Sequence, residues 1–174
     1  LVFGMAGSGG DGIISAGESL IAAAAAGGYH AIMTKSFGSQ IRGGESAVVL
    51  RLSNEEVCYE SDRTDLLLCF RLGDLKRFRG SVRLHEDSLL LLDAAESGEL
   101  PDWLGHTSRE TWRHPFATFE NGIEVSGDPK NMIGLGLVCR ALGWDASLPE
   151  KALHHRFADR PAVIERNVAA VRKA

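Results

Sequence analysis

A glycine cluster near the start of the chain gives the strongest indication of chemistry. Gly7, Gly9 and Gly12 have the spacing G-x-G-x-x-G and directly follow the apolar residues 1–5. Loops of this kind between a strand and a helix bind phosphate groups, because backbone N–H groups and the helix N-terminus point at the ligand. A phosphate-bearing ligand is therefore expected here, and the candidate contacts are Gly7, Ser8, Gly9, Gly10 and Gly12.

A second glycine-rich segment covers residues 36–46 and is too polar to form a core element. Its Arg42 stands beside Gly43 and Gly44, which together offer a guanidinium fork and accessible backbone donors to an anion. If the first two strands are neighbours in a parallel sheet, both loops emerge at the same carboxyl edge, where open α/β sheets bind ligands. Ser36, Arg42, Gly43 and Gly44 are therefore further candidate contacts.

The glycine spacing by itself suggests a dinucleotide site, as in a stand-alone NAD(P)-dependent dehydrogenase. Such a site needs an acidic residue about 20 residues further on to bind the ribose hydroxyls. Residues 32–36 contain Lys35 and Ser36 but no acid, and the nearest one is Glu45. The missing acid makes an NAD site less favoured, but this interpretation stays open. A purely structural role of the glycines, in a tight turn, also stays open.

Catalytic and metal-binding patterns are not evident. The histidines lack metal-ligand spacing, and neither a G-x-S-x-G elbow nor a G-x-x-x-x-G-K-[ST] loop occurs. The cysteines Cys58, Cys69 and Cys139 are widely spaced within apolar runs, which is typical of reduced, buried thiols. We expect no catalytic residue and no metal ligand in this chain, so any iron–sulfur cluster belongs to another one.

Composition narrows the class of protein. The chain has 174 residues, of which 44% are hydrophobic and 24% charged, so a single domain over residues 1–174 is expected. A net charge of -4 without a basic tract argues against a nucleic-acid partner. The longest apolar stretch, residues 20–26, is far shorter than the roughly 20 residues of a membrane span. With no visible leader segment, a cytoplasmic location is expected.

The pattern of apolar residues predicts the order of elements. Helices are expected over 13–26, ending at Gly27 and Gly28, over 74–78, over 131–142 and from Pro161 onward. Strands are expected at 1–5, 29–34, 66–70, 81–84 and 88–92, with a hairpin formed by 46–53 and 57–59. The alternation predicts an α/β domain of three layers, with a mostly parallel sheet and an antiparallel hairpin.

Five segments together carry a family resemblance. They are residues 7–12, residues 36–38, residues 42–46, Asn131 and Met132 with Leu135 and Gly136, and residues 163–167. In this order the chain resembles the gamma subunit or gamma domain of 2-oxoacid:ferredoxin oxidoreductases over nearly its whole length. The resemblance implies a Rossmann-like fold and a role on the coenzyme A side of a larger enzyme. A purely structural assembly subunit is the remaining alternative.

The resemblance also implies cofactors and partners. Enzymes of this family decarboxylate a 2-oxoacid oxidatively with coenzyme A and pass the electrons to ferredoxin. Thiamine diphosphate with Mg lies between alpha and beta parts, and iron–sulfur clusters lie in cysteine-rich, ferredoxin-type parts. The gamma part binds none of these cofactors alone, so the isolated chain is expected to be inactive. Pyruvate, 2-oxoglutarate, branched-chain and indolepyruvate versions all stay open.

The sequence departs from the family pattern at Asp11, where the family commonly has Gln. Phe37 and Gln40 likewise stand where Tyr and Glu are frequent. Because a carboxylate is favourable at a helix N-terminus, Asp11 is expected to cap the first helix, leaving ligand contact to the backbone. The Asp form is similar to chains in which gamma is fused ahead of alpha, so both a free subunit and a fused domain are compatible with the sequence.

Overall fold

The fold centres on a six-stranded sheet with the order β2-β3-β1-β4-β5-β6. The computed structural model describes residues 1–8, 10–38, 44–61, 63–104, 111–116, 119–120, 123–124 and 129–174. The strands are β1 Val2–Ser8, β2 His30–Phe37, β3 Glu45–Ser53, β4 Leu66–Cys69, β5 Leu89–Asp93 and β6 Thr111–His114, with β7 Phe119–Glu120 and β8 Ile123–Glu124 forming a separate pair. The helices are α1 Ile13–Ala26, α2 Leu72–Leu75, α3 Lys130–Ala141, α4 Ser147–Arg156 and α5 Pro161–Lys173.

Five of the six strands run in the same direction. β1, β4, β5 and β6 form consecutive parallel pairs, whereas β3 is antiparallel to both β1 and β2. β4 is buried at all four positions because both of its faces are covered, which explains its continuous apolar sequence. The expected α/β class with a mostly parallel sheet and one antiparallel element is confirmed.

Two apolar clusters cover the two faces of the sheet. On one face, α1, α3, α4 and α5 pack against alternate strand residues such as Phe3, Met5 and Leu68. On the other face, α2, the 3-10 turn Lys76–Phe78 and extended segments pack against Ala6, Leu67 and Leu90. The four long helices therefore lie on one side and leave the strand ends accessible.

The predicted helices over 13–26, 131–142 and from Pro161 are confirmed by α1, α3 and α5. α4 and β6 were not predicted. Only Pro149, Ala152 and Leu153 of α4 are buried, so its sequence carries little helical periodicity.

The predicted hairpin paired residues 46–53 with residues 57–59, and this pairing was wrong. β3 pairs over eight residues with β2, from His30 opposite Ser53 to Phe37 opposite Ser46, and residues 57–59 form no strand. A long register with β2 provides more cross-strand contacts than a three-residue segment can. Residues 81–84 form no strand, although Val82 and Leu84 are buried.

Candidate functional site

The two glycine-rich segments meet at the carboxyl end of β1. Ser8 at the end of β1 lies opposite Glu45, the first residue of β3, and Gly7 lies opposite Ser46. On the other side of β3, Phe37 at the end of β2 also lies opposite Ser46. The Gly38 N–H donates to the Glu45 carbonyl at 2.7 Å. Both segments therefore open at the same edge of the sheet.

The condition that the first two strands are neighbours is not met, because β3 lies between β1 and β2. The shared edge survives because β3 is antiparallel to both strands, which makes β1 and β2 parallel to each other. In a dinucleotide fold the second strand lies next to the first, so that its terminal acid reaches the ribose. Two strand spacings of about 4.8 Å each separate the end of β2 from β1 here, which does not fit that arrangement.

Asp11 shapes the turn that follows β1 and does not cap α1. The Ser8 N–H donates to Asp11 Oδ2 at 2.8 Å, and the Asp11 N–H donates back to the Ser8 carbonyl at 2.9 Å. The residue at the N-cap of α1 is Gly12, and no side chain caps it. The predicted capping role was therefore wrong: the short Asp11 side chain accepts from the Ser8 N–H, which precedes it, rather than from the first turn of the helix.

Gly12 begins α1 in a conformation that favours glycine. Its φ of 70° is left-handed, and its carbonyl accepts the first helical hydrogen bond from the Ala16 N–H at 3.0 Å. The same carbonyl accepts a hydrogen bond from Asn131 Nδ2 at 3.1 Å, so the first turn of α3 contacts the start of α1. The amide of Asn131 fills the space beside Gly12, since a Cβ there would lie 2.5 Å from Nδ2.

A cavity of about 340 Å³ lies beside this turn. Its lining comes from the segments that follow β1, β4, β5 and β6 and from the first residue of α3: Asp11, Phe70, Arg71, Asp93, Ala95, Glu96, Pro115 and Lys130. β1 and β4 are adjacent in the sheet. The chain leaving β1 continues to β2, toward one edge of the strand order, whereas the chain leaving β4 continues to β5, toward the other edge. The cavity therefore lies at the topological switch point, where open α/β sheets bind ligands.

Charges of both signs line this cavity. Its three carboxylates each accept a backbone N–H: Asp11 from Ser8 at 2.8 Å, Asp93 from Ala95 at 3.0 Å and Glu96 from Leu72 at 3.1 Å. The two cations are Lys130 and Arg71, and the Arg71 side chain is 55% exposed. The carboxylates thus hold the turns in place, while the cations are the groups suited to an anion.

The pKa of Asp74, whose carboxylate contacts Arg71, is shifted at this edge. Burial raises the pKa of its carboxyl above the ordinary value, and the charges of Asp11, Glu45 and Glu96 add to this, whereas Arg71 opposes it. Arg71 Nε lies 3.3 Å from Asp74 Oδ2. A neighbouring pair joins Arg77 Nε to Glu45 Oε2 at 3.2 Å.

A second cavity, of about 380 Å³, lies at the opposite edge of the sheet and includes Leu1, Leu52, Tyr29 and Trp144. The rings of Tyr29 and Trp144 stack with centroids 5.2 Å apart. Its lining carries no charged side chain, so it does not resemble a phosphate site.

Comparison with known proteins identifies the family. The family model described as pyruvate ferredoxin/flavodoxin oxidoreductase matches residues 2–174. The chain belongs to this family. The KorC subunit of 2-oxoglutarate synthase from Archaeoglobus fulgidus is 29% identical over 175 residues, which cover 97% of this chain and 82% of that subunit. The KorA subunit of a Mycobacterium tuberculosis 2-oxoglutarate oxidoreductase is 26% identical over 99% of this chain but only 30% of KorA.

Solved structures agree with the family assignment. The gamma subunit of a keto/oxoacid ferredoxin oxidoreductase from Geobacter sulfurreducens has a TM-score of 0.71 and 25% identity, covering 98% of this chain and 94% of that subunit. A 2-oxoglutarate:ferredoxin oxidoreductase from Magnetococcus marinus, with 2-oxoglutarate, coenzyme A and succinyl-CoA bound, has the same fold at a TM-score of 0.75 and 22% identity, over 30% of its chain. Within the family, this chain therefore aligns with nearly the whole of a gamma subunit and with part of a longer chain.

The structure describes only part of the predicted site of this family member. Gly7, Ser8, Gly10, Gly12, Ser36 and Gly44 lie at one edge, whereas Gly9, Arg42 and Gly43 fall outside the described residues. Gly7, Ser8 and Ser36 lie within strands rather than in loops, because the pairing with β3 extends to the end of both strands. Whether these residues contact a ligand stays a prediction.

Sequence reasoning missed Arg71 and Lys130 and assigned no role to Asn131. Arg71 directly follows the apolar run of β4, and a charged residue after a buried strand was the available signal. Neither spacing nor composition could have paired Asn131 with Gly12, which is 119 residues away.

The cysteine prediction was correct for two of the three residues. Cys69 and Cys139 are buried, and burial raises the pKa of both thiols, that of Cys139 to about 12. Cys58 is exposed, because its segment forms no strand and does not join the core. Within the described residues, no three His, Cys, Asp or Glu side chains converge as metal ligands, and none of the helices is long and apolar enough to cross a membrane.

Proposed function

We propose that this chain is the gamma component of a 2-oxoacid:ferredoxin oxidoreductase, folded as one domain over residues 1–174. The enzyme converts a 2-oxoacid and coenzyme A to an acyl-CoA and carbon dioxide and delivers the electrons to ferredoxin. The carrying observation is the match over residues 2–174, together with an alignment that covers 94% of the Geobacter gamma subunit. The chain contributes to the coenzyme A side and to assembly, and it has no turnover alone.

The described residues fit an anionic group at the switch-point cavity. Arg71 and Lys130 present cations there. The first turn of a helix has N–H groups without a partner within the helix, and α1 begins two residues after Asp11 of the cavity lining. Three carboxylates also line the cavity and outnumber the two cations, so any phosphate contact depends on Arg71, Lys130 and backbone N–H groups locally rather than on the net charge of the lining. The cavity volume of about 340 Å³ is at the small end of the roughly 300–1,000 Å³ of ligand pockets. This chain therefore supplies one wall of the coenzyme site, and a partner supplies the rest.

The partners follow from the same proposal. Alpha and beta parts hold thiamine diphosphate with Mg, ferredoxin-type parts hold the iron–sulfur clusters, and these groups supply the decarboxylation and electron-transfer chemistry. In KorA the matching region is 30% of a longer protein, whereas in KorC it is 82%, so both fused and separate arrangements exist among the relatives. The proposal locates the assembly in the cytoplasm, where reduced thiols such as Cys69 and Cys139 persist.

The test uses the enzyme assembled from this chain and its partners. We expect 2-oxoacid-dependent reduction of ferredoxin that requires coenzyme A and stops when the gamma component is left out. Assembly without coenzyme A dependence would overturn the catalytic assignment and leave the purely structural alternative. Binding of NAD or NADP to the isolated chain in a titration would instead favour the dehydrogenase interpretation.

Arg42 provides a residue-level test. Arg42→Ala is expected to raise the KM for coenzyme A, because a charge-assisted phosphate contact is lost. Arg140→Ala is the matched control, since Arg140 is an exposed arginine in the last turn of α3, at the other end of that helix from Asn131. Wild-type values of both the coenzyme A KM and turnover in Arg42→Ala would remove Arg42 from the site.

A further inference from the structure

The contact between Asn131 and Gly12 joins two distant segments at the candidate site. Asn131 is only 8% exposed, and its Nδ2 donates to the Gly12 carbonyl at 3.1 Å. A buried amide donor is costly unless it has an acceptor, so this hydrogen bond fixes both partners. Asn131 belongs to one of the motifs that carry the family resemblance, yet it lies in a helix far from the glycine loop in sequence.

The Gly12 carbonyl is a sensitive point in the loop. It also accepts the Ala16 N–H at 3.0 Å, which is the hydrogen bond that starts α1. The direction of this carbonyl therefore sets the direction of the first helical turn and of its unpaired N–H groups. Asn131 acts on that carbonyl from outside the loop.

The remaining contacts of the turn do not replace this one. The two hydrogen bonds between Ser8 and Asp11 lie within the turn and fix its internal shape. The contact of Asp11 Oδ2 with Arg71 is 3.6 Å long and involves an arginine whose side chain is 55% exposed. The buried Asn131 amide is thus the better defined tertiary contact.

We propose that Asn131 is a positioning residue, which holds the start of α1 in the orientation that its N–H groups need to meet an anion. This inference rests on the proposed function and deepens it. Asn131 itself contacts no ligand and acts through Gly12. Because α3 also presents Lys130 to the cavity, the same helix turn fixes a cation and the loop relative to each other.

Asn131→Leu is the sharpest variant, because leucine is close to asparagine in size, removes the donor to the Gly12 carbonyl and adds no charge that would itself repel an anion. Asn167→Ala is the control, since Asn167 is a similarly buried asparagine, 7% exposed, in α5. In the assembled enzyme, coenzyme A binding is measured by calorimetry without 2-oxoacid, and amide exchange is followed over residues 13–16.

Asn131→Leu is expected to weaken coenzyme A binding about tenfold, which corresponds to loss of about one hydrogen bond. Exchange at Ala16 is expected to become faster, and the KM for the 2-oxoacid to stay within about twofold. Asn167→Ala is expected to lower the melting temperature without changing the Kd. An unchanged Kd in Asn131→Leu, alongside a lower melting temperature, would overturn the proposal and leave Asn131 a structural role only.

If Asn131→Leu does not assemble, Asn131→Ala is measured by the same criteria, because it removes the donor without adding bulk. A raised Kd for coenzyme A then supports positioning, and a wild-type Kd overturns it. Failure of the proposed function is distinguishable, since the unsubstituted enzyme would then show no coenzyme A binding.

Discussion

The Arg71 guanidinium lies between two carboxylates that belong to different segments: Nη2 is 3.6 Å from Asp11 Oδ2, and Nε is 3.3 Å from Asp74 Oδ2. Asp11 belongs to the turn after β1, and Asp74 to α2 after β4. Arg71 thereby offsets the negative charge that Asp11 places in a loop expected to meet phosphate. The same side chain faces the switch-point cavity.

Arg71→Ala is expected to raise the coenzyme A KM of the assembled enzyme by about three- to tenfold, because the Asp11 charge is then exposed to the phosphates. Asp11→Asn in the Arg71→Ala background is expected to recover part of this loss. The KM values of the unsubstituted enzyme, Arg71→Ala, Asp11→Asn and the double variant form a double-mutant cycle. Equal KM values for Arg71→Ala with and without Asp11→Asn would contradict charge compensation.

Gly12→Ala is expected to lower the free energy of unfolding by about 2–3 kcal/mol, since a left-handed residue is strained and its Cβ meets Asn131. The structural basis is the φ of 70° and the 2.5 Å approach to Nδ2. Gly10→Ala is the control, because nothing lies within 4 Å of its added Cβ. Denaturant unfolding measures both, and a similar small change in the two variants would argue against the geometry at Gly12.

Gly136 allows close packing of α3 against α5. A Cβ there would lie 2.4 Å from the backbone oxygen of Val171, so Gly136→Ala is expected to force the helices apart and cost about 1–3 kcal/mol. Gly73 is also helical but has nothing within 4 Å, so Gly73→Ala is expected to stabilise by about 0.5–1 kcal/mol. Opposite signs in thermal unfolding are the expected result. Stabilisation by both alanines would refute the close packing.

Glu18 connects three elements and predicts a pH dependence. Its carboxylate accepts hydrogen bonds from Lys35 of β2, at 2.5 Å, and from Arg156 of α4. These two partners hold the pKa of the Glu18 carboxyl below its ordinary value of 4.5. The stabilisation is therefore complete above that value and is lost as the pH falls through the lower, folded value.

Glu18→Gln is expected to destabilise the protein by about 1 kcal/mol at about pH 7 and by much less at about pH 3.5. Glu165→Gln, at an exposed position of α5, is the control and is expected to have no comparable pH dependence. Urea unfolding at several pH values provides the comparison. A difference that persists undiminished in acid would mean that the ion pairs do not stabilise the fold.

The cysteines differ in their expected reactivity. Cys58 is exposed, whereas burial raises the pKa of the Cys69 and Cys139 thiols and removes them from solvent. One thiol per chain is expected to react quickly with a thiol reagent in the native protein and all three after unfolding. Cys58→Ser should abolish the fast reaction, and rapid native labelling that remains in Cys58→Ser would show that the core is open.

Periodicity was enough for the elements whose burial pattern is regular. The apolar spacing in 13–26 and 131–142 located α1 and α3, and the continuous apolar residues of β4 indicated a strand covered on both faces. Periodicity failed for α4, in which few residues are buried. It also failed to identify the pairing partner of β3, because strand pairing depends on the tertiary fold. Cys58 was misplaced for the same reason, since its predicted strand has no partner to pair with.

By itself, the sequence determined the α/β class, the glycine-rich turn after β1 and the family resemblance, because local propensity, period and motif order are properties of the chain alone. Only the tertiary structure decided that β3 separates β1 from β2, that Asn131 holds Gly12, and that Arg71 and Lys130 share a cavity. These relationships depend on strand order and helix packing, which bring together residues that sequence spacing cannot relate.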